Sequence, residues 1–219
     1  MTQSPRSNNS AFSAAVPAGF DAQVIPIQEV CSDQPRIGLD RLHPMALKSR
    51  LQSPPPWQPE ITDENRHVIA ADIIAKRQAA GKVTHAAVLI PLLLKEEGLS
   101  VLLTQRTNHL HDHAGQISFP GGRMDQQDLT PHDTALRESE EEIGLQREAV
   151  EIIGHLPQYL TVSGYSVTPV VALVQPQAEY VLDTFEVADV FEVPLHFLMD
   201  PANHQLRVWQ SDLGSRRFY

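Results

Sequence analysis

The stretch Arg137-Glu138-Ser139-Glu140-Glu141-Glu142-Ile143-Gly144-Leu145 sets four glutamates within five positions. Like charges at helical spacing repel by on the order of a few tenths of a kcal/mol per pair. Such crowding suggests that something compensates it. Rotation of about 100° per residue gathers Glu138, Glu141 and Glu142 on one arc of a helix and turns Glu140 away. Arg137 precedes Glu141 by one turn and is placed to pair with it. Three converging carboxylates are hard oxygen donors that suit Mg²⁺ or Mn²⁺, ions that keep water available for chemistry. The plainer alternative is a solvated acidic face. Gly121-Gly122 upstream favours a site, because a turn without Cβ atoms lets backbone come close to a ligand or metal.

These residues need a rigid frame. Thr130-Pro131-His132-Asp133 reads as a helix start: Thr130 as cap, Pro131 in the first position, Asp133 answering the free N–H groups and the macrodipole. Gly144 reads as the stop. Ala135, Leu136, Ser139 and Ile143 form the stripe that would face a sheet. Strands are expected at residues 86–90 and 92–94, 101–104, 116–119, 151–153, 168–174 and 190–193, with Glu96-Glu97-Gly98 as a hairpin turn. Strands around one well-marked helix predict an α/β sandwich.

The remaining features narrow the class. A hydrophobic share of 42% over 219 residues supports a core, and a formal charge of -10 argues against nucleic acid or an anionic membrane as partner. The longest apolar run, residues 86–94, is far short of the ~20 residues of a membrane span. One cysteine, Cys31, excludes an internal disulfide framework and suits a reducing compartment. No signal peptide is evident, so a cytoplasmic location is expected. Residues 1–82 are expected to form an N-terminal extension, poorly ordered to about residue 35. A stiff proline segment at Pro54-Pro55-Pro56 follows, and then a helix over about residues 62–80.

The acidic helix and the glycine turn together resemble the Nudix box, G-x5-E-x7-R-E-U-x-E-E-x-G-U, where U is a bulky aliphatic. Arg137, Glu138, Glu141, Glu142, Gly144 and Leu145 match its second half. Ser139 stands where U is expected, and the first half fits only with one added residue, Gly122 being followed by Asp128. Just upstream, Leu102, Leu103, Thr104, Arg106, Gly115, Phe119, Pro120, Gly121 and Gly122 resemble L-L-T-x-R-[SA]-x3-R-x3-G-x3-F-P-G-G. That signature marks the coenzyme A pyrophosphatase branch of the Nudix hydrolases. Thr107 replaces its Ser or Ala, and His111 its second Arg. The resemblance covers roughly residues 84–213.

The resemblance implies a Nudix-type α/β/α sandwich with a mixed sheet over residues 83–219. It implies an enzyme cleaving coenzyme A or an acyl derivative to adenosine 3',5'-bisphosphate and (acyl-)4'-phosphopantetheine. Glu138, Glu141 and Glu142 would hold Mg²⁺ or Mn²⁺. A helix glutamate or Glu186 would take the water proton, and Arg137 would fix a glutamate's orientation. Arg106, His111, Gly121 and Gly122 would meet the substrate. Two readings stay open beside it: hydrolysis of another nucleoside diphosphate derivative, such as ADP-ribose or a dinucleoside polyphosphate, and a non-catalytic nucleotide-binding module. Relatives of this branch usually continue with another strand and a helix. The expectation is therefore a sheet that is truncated or finished differently, with apolar surface for a homodimer to cover.

Overall fold

In a computed structural model, the described residues are 24–54, 83–110, 114–161, 165–211 and 214–218. The helix expected over about residues 62–80, and His111, lie outside them.

The hairpin expected around Glu96-Glu97-Gly98 is made by β2 (Thr84–Lys95) and β3 (Gly98–Arg106), with Lys95 opposite Gly98 and Leu92 opposite Val101. Beyond Leu92 the two strands part. The gap is filled by β4 (Ile117–Ser118), which pairs with Thr104 and Gln105, and β5 (Gly121–Arg123), which pairs with residues 86–88. The glycine turn is thus wedged between two core strands. Along its other edge, β2 runs parallel to β8 (Tyr165–Val174) over ten residue pairs from Thr84↔Tyr165 to Leu93↔Val174. All other pairings are antiparallel: β6 (Val150–His155) and β7 (Tyr159–Leu160) on β8, and β9 (Val187–Pro194) on β3. The sheet is therefore mixed.

Strand alternation sends side chains to both faces. Leu89, Leu93, Leu102, Val170, Ala172 and Val174 pack on one face with Ala135 and Ile143 of the helix α2 (Pro131–Ile143). On the other face Leu92, Val101, Ile153, Val171 and Leu173 meet Leu47 and Leu51 of α1 (Pro44–Gln52), and Leu195 and Leu198 of the short α3 (Leu195–Leu198). The Lys48 ammonium bonds the Glu151 carboxylate and ties α1 to β6. Ile27–Val30, expected within a poorly ordered leader, forms β1 and pairs with β10 (Gln205–Ser211), which pairs in turn with β11 (Gly214–Phe218). No helix among the described residues is long and apolar enough to cross a membrane.

Candidate active site

The acidic helix forms where its caps place it. The Thr130 hydroxyl accepts from Asp133 N–H at 3.2 Å, Asp133 accepts from Thr130 N–H at 2.8 Å, and Gly144 closes the helix at φ 65°. A cap of this kind stabilises by about 1 kcal/mol. Ser139 stands where the box has a bulky aliphatic, yet it is fully buried and donates to the Ala135 carbonyl at 2.7 Å. The departure is thereby absorbed: the hydroxyl satisfies itself within the helix, and the polar group leaves no orphan in the core.

The arc predicted for three glutamates divides into three environments. Glu142 is 7% exposed and accepts from Gly121 N–H at 3.1 Å. Burial, reinforced by repulsion from Glu138 and Glu186, pushes its carboxyl up from 4.5 to about 7, against the opposing Gly121 bond and Arg106 charge. Glu138 is half-buried against Gly122, and its carboxyl is also pushed up, first by burial. Glu141 is mostly solvent-exposed and bonds Arg137 Nη1 at 3.0 Å. Glu138 and Glu142 thus meet at the glycine turn and Glu141 stays outside. Among the described residues no three acidic, histidine or cysteine side chains are grouped closely enough to hold a metal ion. Of the three expected ligands, Glu138 and Glu142 lie at the turn, and Glu141 lies beside them on Arg137, which also pairs with Glu138.

Both glycines are required by contact. A Cβ on Gly121, at φ 152°, would lie 2.4 Å from the Ala87 carbonyl oxygen and 2.5 Å from Val88 Cα. On Gly122 it would lie 2.5 Å from the Glu138 carboxyl carbon. The first glycine lets the turn lie on β2, and the second makes room for a carboxylate.

Asp128 supplies what the sequence left unresolved. It is 8% exposed and binds Arg137 at two points, Nε–Oδ1 3.1 Å and Nη2–Oδ2 2.9 Å. Its Oδ2 also accepts from Thr134 Oγ1 at 3.0 Å and Asp125 N–H at 2.8 Å. The Arg137 hydrogen bonds, working against desolvation, hold its carboxyl at about 2. Arg137 further donates to the Arg123 carbonyl at 3.1 Å and pairs with Glu138 at 2.9 Å. A guanidinium so fixed orients Glu138 and Glu141. The added residue in the box was the one available signal for Asp128, and it did not reveal a partner nine positions away.

Glu186 is brought to the same place by a strapped loop. Asp183 N–H donates to the Glu142 carbonyl at 2.9 Å, and Thr107 N–H donates to the Glu186 carbonyl at 2.9 Å. Glu186 acts electrostatically on both Glu138 and Glu142. From β3, Arg106 lowers the Glu142 carboxyl by its charge, and its buried Nε has no partner among the described residues. For a hard divalent cation the turn offers two carboxylates, Glu138 and Glu142, a set that suits an ion such as Mg²⁺, which keeps several waters and takes one or two carboxylates beside substrate phosphates.

The NUDIX domain family model matches residues 83–211. The "Uncharacterized Nudix hydrolase NudL" of Enterobacter sp. (strain 638) is 41% identical over 156 residues, 67% of this chain and 77% of that protein. The protein of the same name from Escherichia coli (strain K12) is 49% identical over 110 residues, 50% of this chain. That from Yersinia enterocolitica is 46% identical over 112 residues, 51% of this chain. The matched segments span 57% of the length of each of these last two relatives. With the family match covering more than half of its length, the chain belongs to the Nudix family.

Proposed function

We propose that the chain hydrolyses the diphosphate of coenzyme A or acyl-CoA, yielding adenosine 3',5'-bisphosphate and (acyl-)4'-phosphopantetheine. The observation that carries this reading is the course of the second motif: it follows β3 to Arg106 and returns through the turn at Gly121, whose N–H meets Glu142. Motif and carboxylates thereby border one place. In keeping with this reading, the substrate is a small nucleotide-derived molecule and the setting is cytoplasmic. Residues 83–219 form the catalytic domain behind an N-terminal extension, and a homodimer is compatible with it.

Water attacks one phosphorus of the diphosphate, the bond to the bridging oxygen breaks, and the other phosphate leaves. A divalent cation such as Mg²⁺ or Mn²⁺, held by Glu138 and Glu142 with Glu141 at its margin, would neutralise the diphosphate and lower the pKa of water. Arg106, whose charge acts on Glu142, binds a phosphate oxygen through its guanidinium. Arg137, anchored by Asp128, keeps Glu138 turned toward Gly122. Glu186, strapped beside both buried carboxylates, takes the water proton. Gly121 and Gly122 admit the diphosphate close to the backbone.

The test is incubation of the purified chain with coenzyme A and Mg²⁺ or Mn²⁺, with products separated by chromatography. The two named products are expected. Intact coenzyme A beside cleaved ADP-ribose or dinucleoside polyphosphate would move the function to another substrate of the same family.

A further inference from the structure

We propose that His109 and Phe185 form the platform on which the nucleobase of the substrate stacks. The inference rests on the nucleoside diphosphate reading above and adds the residues that recognise the base. Phe185 is 65% exposed, and its ring meets that of His109 at 5.0 Å between centroids with a tilt of 58°. This lies within the range of favourable tilted aromatic contacts. Single exposed apolar side chains are ordinary on protein surfaces. Phe185 differs in being held from three sides.

Its carbonyl accepts from the Thr107 hydroxyl at 2.8 Å, its N–H donates to Asp183 Oδ1 at 2.9 Å, and the His109 ring braces its own. Thr107 is 6% exposed, so the clamp is shielded from competing water. The Thr107 hydroxyl joins the end of β3 to the loop bearing Glu186. A ring fixed before binding loses little entropy when a flat ligand lands on it.

Position decides what lands there. Phe185 adjoins Glu186, which acts on Glu138 and Glu142, and His109 lies three residues beyond Arg106, which acts on Glu142. In this proposal the nucleoside end of a diphosphate bound at the carboxylates rests on these two rings. A nucleobase stacks on an aromatic face without needing a specific hydrogen bond. Phe185 carries the stacking, His109 orients it, and Thr107 is a positioning residue.

The experiment is calorimetric titration with adenosine 5'-monophosphate and with ribose 5-phosphate, both with Mg²⁺ present. The phosphate is common to both probes, so the difference reports the base. The wild type is expected to prefer the nucleotide. Phe185→Ala is expected to weaken nucleotide binding about tenfold, or 1.4 kcal/mol, and to leave ribose 5-phosphate unchanged. Phe185→Tyr is expected to restore the preference. An unchanged circular dichroism spectrum would show that the exposed substitution leaves the fold intact. Equal loss for both probes, no loss for the nucleotide, or a wild type without preference overturns the platform. A chain that cleaves coenzyme A without a base-dependent preference keeps its function and loses the platform. A Phe185-dependent preference without any cleavage keeps the platform and removes the function.

Discussion

Asp128 grips Arg137 through two parallel contacts of 3.1 and 2.9 Å, and in doing so fixes the helix residue that sorts the glutamates. The guanidinium reaches Glu138 with the nitrogen that bonds Asp128 Oδ2, and Glu141 with the other. Removing the aspartate charge strands a largely buried cation among fewer partners. Asp128→Asn is therefore expected to destabilise by about 3 kcal/mol in urea unfolding at neutral pH.

The same pair carries a pH signature. The Asp128 carboxyl lies at about 2 in the fold against an ordinary 3.8, a depressed value. Its stabilisation is whole above 3.8 and fades as pH falls from 3.8 through about 2. Unfolding midpoints of wild type and Asp128→Asn should thus differ most near neutrality and converge at the acid end. A gap that stayed constant down to pH 2 would mean that the ion pair is not its source.

The two glycines separate fold from function. At Gly121 an added Cβ meets backbone, which cannot yield, so Gly121→Ala is expected to lower the melting temperature strongly. At Gly122 it meets the flexible end of Glu138, which can swing away at little cost to stability. Gly122→Ala should keep its melting temperature and lose kcat/KM by roughly tenfold or more, an effect on the order of 1.4 kcal/mol or above. Thermal scans beside turnover assays distinguish the two.

Glu142 is costly without a cation. Its carboxyl is raised from 4.5 to about 7, so the metal-free fold binds that proton more tightly than the unfolded chain does. Stability is lost as pH rises from 4.5 through about 7, and the full loss applies above that. Glu142→Gln should make the metal-free protein more stable at pH 8 by about 2 kcal/mol. Added Mg²⁺ should narrow the gap by stabilising the wild type alone, as chemical unfolding would show.

Local chemistry made much of this legible. Thr130, Pro131 and Gly144 mark the helix ends because caps depend on neighbours in sequence, and α2 runs Pro131–Ile143. Apolar runs marked β2, β3, β6, β8 and β9, and Pro91 lies within β2, paired with Ala172. Distant pairings were harder to read. Wedging of residues 117–123 between β2 and β3 depends on where those strands part, which no local pattern encodes. Helix α1 escaped notice because PMALKSRLQ is weakly patterned, with Leu47 and Leu51 as its core contacts. Within the site, spacing placed three glutamates on one arc, but their distribution, Glu142 buried on the Gly121 N–H and Glu138 and Glu141 both on Arg137, depends on tertiary partners that spacing does not encode.

The most direct test of the account is a Mn²⁺ titration followed by electron paramagnetic resonance, on the wild type, Glu142→Gln and Glu140→Gln. Glu140 points away from the turn and pairs with Arg147 at 2.7 Å, so it serves as the control on the same helix. The expected result is Mn²⁺ uptake by the wild type and by Glu140→Gln, with affinity at least about tenfold weaker, 1.4 kcal/mol, in Glu142→Gln. Equal affinity in all three proteins, or equal loss in both variants, would contradict a cation site built on Glu142 at the Gly121–Gly122 turn.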